Sequence, residues 1–174
     1  MAGVGDAPGR PDLAAPVPLA ADHDLSEFDC GEPALNGWLR HRALKNESRF
    51  SRTYVVCRGD RVVAYVRISA GAIARAAAPG KVRRNAPDLI PVAVIGRLAV
   101  DRGHGQRGLG ADLLADALRR IAIASQSIGV AAVLVYAKDN AARRFYQHCA
   151  EFIEYPEDSR ILFLPIETVV AAFG

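Results

Sequence analysis

Apolar residues recur along this chain with two periods, and each period predicts a different element. Leu113, Leu114, Ala117, Leu118 and Ile121 return every three to four positions, which gathers them on one face of a helix. Leu35, Trp38 and Leu39 make a similar stripe, with Arg40 and Lys45 turned away from it. Pro33 stands where the first helical turn tolerates a missing N–H. Arg40, Arg42, Lys45 and Arg49 are all expected on this first helix. Thr53–Cys57 and Arg61–Val66 are β-branched and aromatic and flank Gly59-Asp60, so they predict a hairpin whose second strand runs on to Ile73.

Val92–Val100 and Val130–Tyr136 are continuous apolar runs, as strands buried on both faces require, and Gly96 marks a bulge or bend in the first. Asn140–Cys149 reads as a short basic helix, and Ile161–Leu164 as a last strand that Pro165 ends. Pro16–Leu19 is suited to a sheet edge, and residues 74–91 to a loop. The second half therefore runs strand, helix, strand, helix, without an internal repeat.

Composition narrows the class. A chain of 174 residues, 51% hydrophobic and 24% charged, suits one globular domain with a real core and is too apolar to stay disordered. Residues 1–16, rich in Ala, Gly, Pro and Asp, read as a mobile tail, leaving 17–174 as the domain. No run approaches the length of a membrane span, and the N-terminus lacks a basic-then-apolar leader pattern. Cys30, Cys57 and Cys149 lack metal-type spacing, so free thiols in a reducing cytoplasm and no metal are expected.

A formal charge of +3 is too small to announce a nucleic acid, so its distribution matters more. From Pro33 to Gly59 the cations are Arg40, Arg42, Lys45, Arg49, Arg52 and Arg58, against the single acid Glu47. Lys81, Arg83 and Arg84 form a second knot. Charge pattern alone leaves open a solvated face or a polyanion surface. Arg97 differs because it lies inside an apolar strand, either paired in a core or reaching outward.

Between Asp101 and Gly110 stand Gly103, Gly105, Gly108 and Gly110, after one predicted strand and before one predicted helix. Such a turn offers free backbone N–H groups at the positive end of a helix dipole, which suits a phosphate. By itself it fits a pyrophosphate cradle, a dinucleotide site or a merely tight turn. A dinucleotide site requires an acid about 20 residues on, and Ala124 to Val130 holds none.

Val100-Asp101 followed by Gly105-Gln106-Arg107-Gly108-Leu109-Gly110, and later Asp139 and Ala142 before Phe145-Tyr146, resemble the GNAT acetyltransferases. Gly105 stands where that family usually carries Gln or Arg, and Glu151-Phe152 replaces its usual Gly-Phe. The resemblance implies an α/β (α+β) fold, a mixed central sheet of about six to seven strands flanked by about four helices. It implies acetyl-CoA as acyl donor, bound by Leu98, Ala99 and Val100, by Gly105, Gln106, Arg107, Gly108, Leu109, Gly110 and Ala111, and by Asp139, Ala142 and Phe145. Tyr146 is then the acid that protonates the leaving thiolate, because a phenol is protonated at working pH. Tyr54, Tyr65 and Tyr136 lie on predicted strands and suit packing.

A narrower resemblance runs from Leu19 to Ile166. Phe28-Asp29-Cys30-Gly31 ahead of Leu35 and Trp38-Leu39, then Gly96-Arg97-Leu98-Ala99-Val100-Asp101, then Lys138-Asp139 ahead of Phe145-Tyr146, together resemble the GNAT toxins of bacterial toxin–antitoxin pairs. This implies the α-amine of aminoacyl-tRNA as acceptor, arrest of translation, a small ribbon-helix-helix antitoxin and a homodimer. Arg40, Arg42, Lys45, Arg49, Lys81, Arg83, Arg84, Arg97, Arg143 and Arg144 are the corresponding candidates for tRNA contact. The rival readings are a GNAT enzyme for a small amine or protein N-terminus, and an inactive CoA-binding module. A DNA-binding regulator would need a recognition helix that the pattern lacks.

Overall fold

The structure, a computed structural model, describes residues 13–105, 108–155 and 157–174. Its strands are β1 (Val17–Pro18), β2 (Arg52–Arg58), β3 (Arg61–Ile73), β4 (Ile90–Val100), β5 (Ala132–Tyr136), β6 (Ile153–Tyr155) and β7 (Asp158–Pro165). Its helices are α1 (Pro33–His41), α2 (Ala43–Asn46), α3 (Gly80–Arg83), α4 (Leu109–Ala124), α5 (Asn140–Cys149) and α6 (Ile166–Phe173). The strands form one sheet in the order β1-β2-β3-β4-β5-β7-β6. It is mixed: β4 and β5 run parallel, whereas β1 with β2, β2 with β3, and β7 with both β5 and β6 run antiparallel. The expected mixed α/β sheet is therefore present, with seven strands and six helices among the described residues, two of the helices, α2 and α3, being only four residues long.

By packing, the chain divides into two compact units, one built from the residues up to Ile68 with Arg97–Ala117, the other from Ser69–Gly96 with Leu118–Gly174. In the first, the β2–β3 hairpin turns at Gly59, whose φ of +65° explains the glycine. Leu19, Phe28, Trp38, Leu39, Val55, Val62 and Tyr65 make its core. Phe28 and Tyr65 meet edge to face at 5.5 Å, and the Tyr65 hydroxyl donates to the Leu35 carbonyl at 2.8 Å. Of the stretch read as a tail, residues 1–12 lie outside the described residues. Leu13 is buried and bridges Arg58, so packing reaches back beyond Val17, because this leucine finds the rim of the hairpin.

The first helix is shorter than its periodicity predicts. α1 stops at His41, since Arg42 leaves helical geometry at φ −122°, and α2 ends at Asn46. The Asn46 carbonyl then accepts from the N–H groups of Arg49, Phe50 and Ser51, a turn that reverses the chain into β2. Of the four cations expected on the first helix, only Arg40 is on α1. Lys45 is on α2, and Arg42 and Arg49 sit in the connections.

In the second unit, β4 and β5 pair from Val92 opposite Ala132 to Ile95 opposite Val135. Ala132, Val133, Leu134 and Val135 are buried, as a strand covered on both faces must be. The segment read as a loop contains α3, because Val82 inserts into a cluster with Ala78, Ile90, Val92, Leu134 and Phe163. Pro165 ends β7 as expected, but it also stands at the N-cap of α6, whose β-branched composition hides a helix. Val169 is buried there.

Candidate functional site

The turn after β4 is anchored by Asp101, which is 5% exposed. Its carboxylate accepts the Asp29 N–H at 3.0 Å and the Gly103 N–H at 3.1 Å, and lies 3.3 Å from the His104 ring nitrogen and 3.8 Å from Arg61. Burial alone would raise this carboxyl, but hydrogen bonds from Asp29, His104 and Gly103 and the charge of Arg61 together hold it below the usual carboxylate value. Asp29 in turn accepts from Gly31 and Asn36 and is ion-paired with Arg102. The Val-Asp and Phe-Asp-Cys-Gly motifs thus meet in one polar clamp that spacing alone did not reveal.

Beyond the clamp, Gly105 and Gly108 differ. Gly105 has an ordinary φ of −71°, and among the described residues an added Cβ would meet nothing closer than the Arg102 carbonyl at 3.9 Å. Gly108 has φ +70°, where a side chain is strained. The Gly108 carbonyl accepts the Asp112 N–H at 3.1 Å as α4 begins, so the first N–H groups of a 16-residue helix open beside an exposed glycine. Leu109 is buried, while Gly110 and Ala111 are partly accessible in the first helical turn. Gln106 and Arg107 lie outside the described residues. Leu98 and Val100 are partly accessible and Ala99 is buried, all beyond Ile95, the last position of β4 paired with β5.

The second unit holds the other candidates. Asp139 caps α5, its side chain accepting the Ala142 N–H at 2.8 Å, a helix-starting role in its own right. Tyr146 is 6% exposed and packs between Phe145 at 5.4 Å and Phe152 at 5.7 Å, both edge to face. Burial, with a smaller effect of Cys149, pushes its phenol up to about 12. Among the described residues nothing hydrogen-bonds to the Tyr146 hydroxyl. Tyr65, by contrast, has spent its hydroxyl on Leu35, and Tyr136 is 60% exposed at the end of β5.

The cations separate by what they already hold. Arg40 donates to the Leu25 and Phe28 carbonyls, so it staples α1 to the preceding loop instead of projecting freely. Arg143 pairs with Glu154 at 3.1 Å. Arg42, Lys45, Lys81, Arg83, Arg84 and Arg144 are exposed, and so is Arg49, whose guanidinium lies 5.3 Å from the Phe50 ring. Arg40, Arg42, Lys45, Arg49 and Arg97 belong to the first unit; Lys81, Arg83, Arg84, Arg143 and Arg144 belong to the second. Arg97 is partly buried on β4. It has no carboxylate partner among the described residues and lies over Trp38 at 4.9 Å. Arg67, which the pattern of β3 did not single out, lies over the same ring at 5.5 Å. A charged residue late in an otherwise apolar strand was the available signal. No group of His, Cys, Asp and Glu among the described residues is arranged for a metal.

Comparison with known proteins completes the assignment. Residues 49–149 match the acetyltransferase (GNAT) domain family. A tRNA-acetylating toxin of Mycobacterium tuberculosis (strain ATCC 25618 / H37Rv) is 44% identical over 162 residues, 92% of this chain and 97% of that protein. The solved structure of AtaT complexed with acetyl-methionyl-tRNAfMet superposes with a TM-score of 0.84 at 32% identity, over 94% of this chain and 100% of that one. A mutant AtaT toxin bound to the C-terminus of the antitoxin AtaR and acetyl-CoA superposes at 0.79 with 32% identity, over 93% and 98% of the two chains. The mixed sheet, the capped glycine turn and these matches together make this chain a member of the GNAT acetyltransferase family.

Proposed function

We propose that this protein transfers acetyl from acetyl-CoA to the α-amine of aminoacyl-tRNA, and so blocks translation as the toxin of a toxin–antitoxin pair. The observation that carries this reading is kinship along nearly the whole chain to a tRNA-acetylating toxin, at 44% identity, well beyond the cofactor-binding motif. An acyl donor with a diphosphate suits the turn at Gly108, where positive φ and the exposed start of α4 leave backbone N–H groups to receive an anion. Gly105, Gly108, Leu109, Gly110 and Ala111 would hold the diphosphate; Gln106 and Arg107, candidates by sequence, lie outside the described residues. Leu98, Ala99 and Val100, on the stretch of β4 past its pairing with β5, would hold the pantetheine arm; Asp139, Ala142 and Phe145 are the second unit's candidates.

Bound there, acetyl-CoA supplies an activated acyl group on sulfur. A backbone N–H of the Leu98–Val100 segment would stabilise negative charge on the thioester oxygen. The acceptor amine titrates no higher than about 7.7–8.0, because the ester beside it withdraws electrons, so part of it is neutral without a strong base. Tyr146 carries a proton throughout the working range and would supply it to the leaving sulfur. With its phenol near 12, it gives that proton up only as the acetylated nitrogen returns one, so the net movement is from nitrogen to sulfur.

Arg42, Lys45, Arg49, Arg97, Lys81, Arg83, Arg84 and Arg144 supply the cations for tRNA, with Arg40 and Arg143 contributing from paired positions. Kinship to a toxin seen with the C-terminus of its antitoxin supports an antitoxin partner, which we take to be a small ribbon-helix-helix protein; a homodimer belongs to the same reading. No helix among the described residues is long and apolar enough to cross a membrane, and cytoplasmic charged tRNA is the substrate we envisage. The test is to incubate the protein with labelled acetyl-CoA and a full set of charged tRNAs, digest, and identify the aminoacyl groups that carry label. Label on a free small amine and on none of the tRNAs would replace this reading with the small-amine one.

A further inference from the structure

Arg67 on β3 and Arg97 on β4 approach the same indole, with guanidinium carbons 5.5 and 4.9 Å from the Trp38 ring centroid. Trp38 is itself stacked with Tyr65, the rings 5.8 Å apart and 18° from parallel. Tyr65 is fixed to α1 through Leu35, so the platform beneath the two guanidiniums is rigid. Among the described residues neither arginine has an acidic partner, and the Nε of each is buried without a hydrogen-bond acceptor. Partial burial, and then the charge of Arg97, pull the pKa of Arg67 below its usual value.

Two like charges held together in partly dry surroundings are unfavourable unless an anion balances them. Arg97 forms one wall of a cleft of about 340 Å³ whose other walls are Pro33, Ala34, Gly37, Trp38, His41 and Arg42. That wall carries no acid, and its remaining ionisable side chains are the basic Arg42 and His41. Stacking occupies the face of a guanidinium and leaves its N–H edge for in-plane bonds, the geometry that oxyanions accept. Exposed cations continue past the cleft at Arg42, Lys45 and Arg49, which suits a polyanion better than an isolated carboxylate.

We infer that this cleft is a phosphate subsite in which Arg67 and Arg97, braced on Trp38, grip one backbone phosphodiester of the tRNA. The inference rests on the aminoacyl-tRNA reading for the source of the phosphate. Trp38 is the sole tryptophan of the chain, so its fluorescence reports this cleft alone. The full-length protein, without acetyl-CoA, is titrated at low salt with uncharged tRNA, with inorganic phosphate and with a poly-glutamate peptide.

Uncharged tRNA is expected to change Trp38 emission saturably, and phosphate to compete with it. Arg67→Gln and Arg97→Gln should each weaken tRNA binding about tenfold. Replacing both together should lower the slope of log affinity against log salt by about 0.7–0.9, the value of one phosphate contact. Arg97→Lys, which keeps the charge and loses the fork, should keep the slope and only part of the affinity. Emission in the wild-type protein that ignores both tRNA and phosphate overturns the subsite, as does a response to poly-glutamate alone or an unchanged affinity in both Gln variants with an unchanged slope in the double variant. Uncharged tRNA has no aminoacyl group, so the readout is separate from catalysis. A silent Trp38 with acetylated aminoacyl-tRNA removes only the subsite, whereas a responsive Trp38 without acetylation removes only the substrate assignment.

Discussion

Replacing Tyr146 with Phe removes one oxygen and leaves the ring. The edge-to-face contacts with Phe145 and Phe152, at 5.4 and 5.7 Å, survive the change, and among the described residues no partner of the hydroxyl is stranded. Stability should therefore move by no more than about 0.5 kcal/mol, roughly 2 °C in Tm for a chain of this length. Catalysis should move far more. A positioned acid contributes about 10²–10⁴ in rate, equivalent to about 2.7–5.4 kcal/mol of barrier at 1.36 per decade. Burial lifts the phenol to about 12, so at pH 8 only about one molecule in 10⁴ is ionised, and the group is fully present as a donor. The same shift makes it a poor donor on its own, which favours the lower part of that range, about 10²–10³.

The assay is single-turnover transfer from labelled acetyl-CoA to charged tRNA, beside calorimetric acetyl-CoA affinity, which should stay within about twofold of wild type. The wild-type rate should rise with pH through the amine titration near about 8 and then hold level to about pH 10, because Tyr146 does not ionise in that window. A Phe variant that turns over within threefold of wild type, or a wild-type rate that falls between pH 8 and 10, would refute this role for the phenol.

The turn glycines should separate cleanly. Gly108→Ala forces a side chain into φ +70° and should cost about 1–2 kcal/mol and weaken acetyl-CoA binding, whereas Gly105→Ala, at φ −71° with open space, should be neutral or stabilising by about 0.4–1 kcal/mol; thermal melts and calorimetry read both. Asp101→Ala strands the N–H groups of Asp29 and Gly103 and should cost about 2 kcal/mol or more in chemical denaturation. The Asp101 carboxyl titrates lower in the folded protein than in the unfolded chain. Its contribution is thus complete above the unfolded value and lost as pH falls through the folded one, so wild type should lose stability below about pH 4 more steeply than Asp101→Asn. Lys81, Arg83 and Arg84 together replaced by Ala should reduce the salt slope of tRNA binding by up to about 2, and an unchanged slope would clear α3 of any part in the interface.

Much of this fold was legible as pattern. The β2–β3 hairpin follows from β-branched runs around Gly59, and β4, α4 and β5 from continuous or periodic apolar residues, because burial on one face or two imposes that periodicity directly. α5 was found at its true ends. The glycine turn and the Phe-Tyr pair carried the family resemblance because anion binding and proton donation depend on residue type as well as place.

Other features are products of packing between segments distant along the chain. α1 stops at His41 because the chain must reverse into β2, a demand that no local propensity encodes. α3 exists because Val82 has a cluster to enter, and α6 because Val169 does, in spite of β-branched neighbours. Asp29 meets Asp101 and Arg102 across more than seventy positions, and Arg67 meets Arg97 only because both reach over Trp38. Composition along the chain records which residues tend to be buried or exposed, but charge neighbours are set by strand order and register, and those exist only once the sheet has formed.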